Sequence, residues 1–390
     1  MTLNPPLAGV RVLDLSTLLP GPYCSWILTE FGADVIKIER PGGGDWARNA
    51  PPLRDGQGVL FDALNRGKRS LTLNLKSEEG RGVFRRLVVG SDVLLETFRP
   101  GVMERLGLGY PALTELNPAL LYCALSGYGP AGPYRDRAGH DLNYIGLAGL
   151  LDLTGHRDSA PGIPGAPIAD LAGGLWAAIG ILLLLFARSR SGSGGRVDAS
   201  LLGAALACLP VAVAGESGGE PIHRGAGELN GGFVCYNVYE CMDGEYVTLA
   251  ALEPDFWAAF CEAAGRPDLA PSQFAPAVAG EPAYDDLRRL FASRSRDEWT
   301  QALRNVDCCC EPVWNVREAA GYPAVQALRM VSGGSLHPPL VFADPDAGTT
   351  RPASGSSAKA AGLGADTADV LAGLGYSPAE VDALRREGVI

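Results

Sequence analysis

Histidine is scarce in this chain, with four among 390 residues, and lysine is equally scarce. No two histidines stand at the H-E-x-x-H spacing, which removes the usual catalytic zinc motif. The nine cysteines, at 24, 123, 208, 235, 241, 261, 308, 309 and 310, are odd in number and include no C-x-x-C pair. They read as reduced structural thiols, without a metal. The turn after the first expected strand, Ser16 to Pro22, carries no G-x-G-x-x-G, and no G-x-x-x-x-G-K-[ST] occurs. Dinucleotide and P-loop nucleotide chemistry therefore lack their phosphate cradles. Positive charge is also short. A net charge of −11 argues against a nucleic-acid partner. The N-terminus has no basic stretch leading into an apolar core, so the expected location is cytoplasmic.

What is present is a globular composition, 47% hydrophobic and 20% charged. At this length two or three structural units are expected. Short apolar runs at 10–15, 34–39, 70–75, 92–96 and 120–125 alternate with helical spacing at 23–31 and 78–89. Strand–helix alternation implies a parallel sheet covered on both faces, an α/β fold. Leu171 to Ala187 is a 17-residue uncharged run. It is marginal for a bilayer, and Gly173, Gly174 and Gly180 suit close packing. We read it as a buried core helix, with no membrane span. Leu201 to Val213 reads as a second buried helix. Ala214 to Gly232 is rich in Gly, Glu and Pro and reads as a linker. Apolar runs at 233–239 and 246–251 flank Asp243-Gly244 as a hairpin, and helices are expected at 255–264, 283–293, 296–305, 366–374 and 378–388. The expected division is a large domain at 1–213, the linker at 214–232, a smaller α+β domain at 233–330, and a return to the large domain over 331–390. A Gly/Pro/Ser-rich stretch spans 344–364.

Cations follow several of these strands: Arg40, then Arg66, Lys68 and Arg69 before the third strand, then Arg99 and Arg105. Such a gathering can build a polyphosphate site, although any one of them fits equally well as a solvated surface charge. His140, in Gly139-His140-Asp141-Leu142-Asn143-Tyr144, reads either as a hydrogen-bonded loop residue or as a base. Asp170, just before the apolar run, reads either as a helix N-cap or as a functional carboxylate. Glu253-Pro254-Asp255 has the form of an acidic helix start with proline first. Spacing alone does not bring these residues together.

Several segments together resemble family III CoA-transferases, the family that also contains α-methylacyl-CoA racemase. They are Leu7 to Leu15, Gly32 to Pro41, Asn65 to Leu71, Phe98 to Gly101, Leu106 to Tyr110, Gly127 to Pro130 and Ala138 to Asp141. The resemblance implies a Rossmann-like large domain, a small domain, and an interlocked homodimer. It implies CoA contacts at Arg40, Leu73, Thr97, Phe98 and Arg105, with Thr97 standing where Asn or Gly is usual. Asp170 matches the catalytic aspartate, which is a nucleophile in the transferases and a proton acceptor in the racemases. His140 matches the racemase branch, as does Glu253, the third acidic residue. The segment around Asp170 departs from the usual racemase sequence. The implied activity is racemisation of a 2-methylacyl-CoA thioester, with no cofactor beyond the CoA moiety of the substrate and no metal. CoA transfer between carboxylic acids, or acyl-CoA binding without catalysis, are the alternatives.

Overall fold

A computed structural model describes residues 5–332, 335–340, 342–344, 348–350 and 359–390. Much of the Gly/Pro/Ser-rich stretch at 344–364 lies outside them. The chain forms two compact units. The first comprises Met1–Ala148, Pro167–Cys208 and Gln326–Ile390, and the second Gly149–Ala166 and Leu209–Val325.

The first unit is built on β1 (Arg11–Asp14), α1 (Pro20–Glu30), β2 (Asp34–Glu39), β3 (Arg69–Thr72), α2 (Glu78–Val89), β4 (Val93–Glu96), α3 (Val102–Arg105), β5 (Leu121–Ser126), α4 (Asp141–Leu147), α5 (Ile168–Ser191), β6 (Gly195–Ser200) and α6 (Leu201–Ala207). The sheet runs β3-β2-β1-β4-β5-β6, and every pairing is parallel. This is the doubly wound α/β order, in which connections reverse direction between β1 and β4. Val12 marks that centre, pairing with Val35 on one side and Val93 on the other. The inner strands are apolar throughout because both faces are covered. Leu13, Ile36, Leu71 and Leu94 join Phe84 and Leu87 of α2 in one core. β6 escaped the sequence reading. It is an edge strand, and its outward Arg196 and Asp198 pair with each other at 2.7 Å, so it lacks an apolar run.

Two helices differ from expectation. α5 is not buried all round. Ala169, Gly173, Gly174, Ala177, Ala178, Gly180 and Ile181 are buried, while Leu175, Trp176, Ile179, Leu182, Leu183 and Phe186 are exposed. Glycine makes the inner face possible: a Cβ at Gly174 would stand 2.6 Å from the carbonyl oxygen of Pro20. By length and composition α5 suits a membrane span, yet its small-residue face packs on α1, β5 and β6. The helix expected over 201–213 ends at Ala207, and a new one begins at Pro210, which has no N–H to continue the ladder.

The second unit holds an antiparallel sheet of Cys310–Pro312, Tyr246–Ala250 and Tyr236–Glu240. Helices Pro254–Ala263, Pro282–Phe291 and Arg296–Leu303 supply Trp257, Phe260, Phe291 and Trp299 to its core. The hairpin was legible from its alternation. The third strand was hidden in the cysteine triplet: Cys310 pairs with Leu249, Cys308 is buried, and Cys309 takes a left-handed φ of 51°.

Candidate active site

Parallel strands direct their carboxyl ends to one edge, and ligands of open α/β sheets bind there, at the switch point. A cavity of about 720 Å³ opens at that edge. Leu15, Thr17 and Leu18 follow β1; Ile38, Glu39 and Arg40 end β2; Leu73 to Lys76 follow β3. Phe98 follows β4, Val102 and Leu106 come from the α3 region, and His140 also lines it. Across the switch point the Thr17 N–H donates to Thr97 Oγ1 at 3.3 Å.

The expected CoA contacts divide. Arg40, Leu73 and Phe98 line the cavity. Leu73 is a buried wall, and exposed Arg40 donates from Nε to the Gly44 carbonyl at 3.4 Å. Thr97 braces the loop after β1 but is not a lining residue. Arg105 is exposed beside the lining residue Leu106; its guanidinium and that of Arg135 both approach Gly101. Lys76, Asp45 and Trp46 also line the cavity and were missed. For Lys76 the signal was available, since it is a cation just past β3.

The polyphosphate reading fails for Arg66, Lys68 and Arg69. Arg66 is buried against Glu30 at 2.7 Å, and Arg69 pairs with Asp34 at 2.6 Å. Lys68 is buried among Asp14 (3.3 Å), Ser25 Oγ (2.7 Å) and Asn65 Oδ1 (2.9 Å). Arg66 and Lys68 precede β3 and Arg69 opens it, and buried Glu30 and Asp14 need the charge of Arg66 and Lys68. Two motif-like strings are also structural. Gly127 to Gly132 reads G-x-G-x-x-G but enters an irregular loop, not a helix. Gly215-Glu216-Ser217-Gly218-Gly219 reads G-x-S-x-G but lies at a helix end, where Ser217 donates to the Val213 carbonyl at 2.9 Å.

His140 immediately precedes α4, with extended backbone. Its N–H donates to Asn143 Oδ1 at 3.0 Å, which caps the helix and fixes the residue. Tyr144 Oη donates to the Gly139 carbonyl at 2.7 Å, bracing the preceding peptide. Asp170 is not the N-cap of α5. Pro167 holds that position, and Asp170 sits in the first turn, its own N–H donating to Asp141 Oδ1 at 3.1 Å. One hydrogen bond thus ties the segment that carries His140 to the segment that carries Asp170. Burial, and then the negative charge of Asp141, push the Asp170 carboxyl up to about 6, while His140 acts in the opposite sense. The imidazole and the carboxylate are therefore within electrostatic reach of each other. Burial, then Tyr128 and Asp170, push Tyr144 up to about 12. Glu253 precedes the helix Pro254–Ala263 as its N-cap residue, in the second unit. Among the described residues no group of three or more His, Cys, Asp or Glu side chains converges as a metal site.

Residues 7–342 match the family model for CoA-transferase family III. The chain belongs to that family. Its members are enzymes, and they divide between two chemistries. An α-methylacyl-CoA racemase of Mus musculus is 36% identical over 393 residues, covering 98% of this chain and 97% of that protein. An acetyl-CoA:oxalate CoA-transferase of Acetobacter aceti is 34% identical, covering 85% and 87%. A crystal structure of a CaiB/BaiF family protein from Brucella suis superposes with a TM-score of 0.82 at 31% identity, over 95% of this chain and 100% of that one. The α/β architecture is thus that of family III.

Proposed function

We propose that this protein racemises 2-methylacyl-CoA thioesters by 1,1-proton transfer at the α-carbon. The observation that carries the reading is that a cavity-lining imidazole, His140, acts electrostatically on a carboxyl raised toward neutrality, Asp170, which is not itself a lining residue. A carboxyl near 6 exchanges protons readily at neutral pH, as two-base chemistry requires. One of the two removes the α-proton from one face, leaving an enolate on the thioester oxygen. The conjugate acid of the other delivers a proton to the opposite face. The roles exchange for the opposite enantiomer.

The enolate needs hydrogen-bond donors. The N–H groups from Asp170 onward do not serve, because Asp170 donates to Asp141 and Leu171 donates to the Pro167 carbonyl at 3.1 Å. The first N–H of α5, at half-buried Ile168, precedes the start of the helical ladder and is the donor we assign, since Ala169 is buried. Arg40, Leu73, Thr97, Phe98 and Arg105 are the assigned CoA contacts, and Glu253 the third acidic residue. The exposed apolar face of α5 supports a homodimer, because six large apolar side chains on one helix otherwise remain in water.

The transferase reading rests on the same carboxylate. Asp170 would attack the thioester carbonyl, expel the CoA thiolate and become a mixed anhydride with the acyl group. Incubation with an optically pure 2-methylacyl-CoA in deuterated water separates the two. Racemisation places deuterium at the α-carbon with loss of optical purity, and His140→Ala abolishes both. CoA transfer to a free acid, with a hydroxylamine-trappable acyl on Asp170 and no deuterium uptake, overturns the proposal. Binding with neither reaction leaves an acyl-CoA carrier.

A further inference from the structure

The proposed chemistry makes no use of a charged pair buried beneath the cavity. Lys37 lies within β2, 1% exposed. Its ammonium donates to the Ser16 carbonyl at 2.8 Å and pairs with Asp45 at 3.1 Å. Asp45 is also 1% exposed. Its carboxylate accepts the Leu18 N–H at 3.1 and 3.2 Å and the Ala47 N–H at 3.0 Å. Its own N–H donates to Glu39 Oε1 at 2.9 Å.

The backbone atoms gathered here come from two loops. Ser16 and Leu18 belong to the loop after β1, and Asp45 and Ala47 to the segment after β2. Thr17, Leu18, Gly44, Asp45 and Trp46 from these loops line the cavity. Leu18 has φ of 66°, the left-handed region, without being glycine. Such a conformation costs free energy and persists only where surrounding contacts over-determine it. A buried ion pair is likewise a poor way to gain stability, since both charges are desolvated. Two costly features converge on one cavity wall.

We propose that Lys37 and Asp45 are positioning residues that hold the loops after β1 and β2 in the shape that binds the CoA moiety. Lys37 draws in Ser16 while Asp45 clamps Leu18, so the wall is formed before ligand arrives. The inference rests on the CoA-binding reading of the cavity.

The test measures the Kd of free CoA by calorimetry on the full chain, with KM and kcat for α-proton exchange. Asp45→Asn alone strands a buried ammonium and risks misfolding. The double variant Lys37→Met with Asp45→Asn removes both charges together. A loosened wall is expected to raise Kd and KM about tenfold to hundredfold, far more than kcat falls. Should that variant not fold, amide exchange in the unaltered protein decides. The Leu18 N–H is expected to be protected equally with and without CoA. An unchanged Kd in the folded double variant, or protection of Leu18 only after CoA is added, overturns the proposal. Failure of the unaltered protein to bind CoA overturns this inference and the CoA-site reading together. Normal CoA binding by the unaltered protein and the double variant alike overturns this inference alone.

Discussion

Replacing Asp170 by asparagine is expected to make the protein more stable while abolishing its activity. The side chain keeps its size, and only its charge is lost. The gap between about 6 in the fold and the ordinary 3.8 is about 3 kcal/mol at 1.36 kcal/mol per pH unit. Asp170 is partly open to solvent, so screening reduces the figure to about 1.5 kcal/mol. The sign follows from linkage. A carboxyl raised by folding is protonated in both states below about 3.8, so its ionisation costs nothing there. Between 3.8 and 6 the unfolded chain ionises first, and stability falls as pH rises. Above 6 the full cost is present. Paired urea unfolding of the two proteins from about pH 4 to pH 8 reads the difference as a shift in midpoint at constant slope. Asp170→Asn is expected to lead by about 1.5 kcal/mol at pH 8 and to converge with the unaltered protein near pH 4. Equal stability at pH 8, or a gap that persists to pH 4, would refute the assignment of a raised, ionisable carboxyl at the head of α5.

Three further outcomes follow from packing and charge. Gly174→Ala forces a methyl to within 2.6 Å of the Pro20 carbonyl oxygen, between α1 and α5; it is expected to cost about 1–3 kcal/mol in a thermal melt and to slow exchange by displacing Asp170 one turn away. Asp14→Asn leaves the buried Lys68 ammonium without its carboxylate and is expected to destabilise the first unit by about 3–5 kcal/mol, seen as loss of the folded circular dichroism signal on mild heating. Leu183→Glu with Phe186→Glu places two charges on the exposed face of α5; if the proposed homodimer uses this face, light scattering is expected to show a change from two chains to one, and an unchanged mass would remove this face from the proposed interface.

Some of this protein was written in short-range pattern. β2 and α2 fall on the residues that alternation and helical spacing indicated, and the hairpin at Tyr236–Glu240 and Tyr246–Ala250 lies within a residue or two of its expected right-hand bounds. Strand–helix alternation implied a parallel sheet because crossover helices must cover both faces. β6 was not legible, because an edge strand needs no continuous apolar run. Arg40 was named from its place after the second strand and His140 from its sequence setting, Leu73 and Phe98 from the resemblance, and the fold gathers them at one cavity because parallel strands share a carboxyl edge.

Tertiary structure alone decided which charges were free. Arg66, Lys68 and Arg69 look the same as Arg40 in sequence, yet their partners Glu30, Asp14 and Asp34 lie dozens of residues away and meet them only in the folded unit. It also decided that α5 has one buried face, and that Asp141 and His140 act on Asp170. The physical reason is range. Periodicity and capping act within a few residues of the chain. Burial, ion pairing and a carboxyl's proton affinity depend on whichever groups the fold brings within a few ångströms.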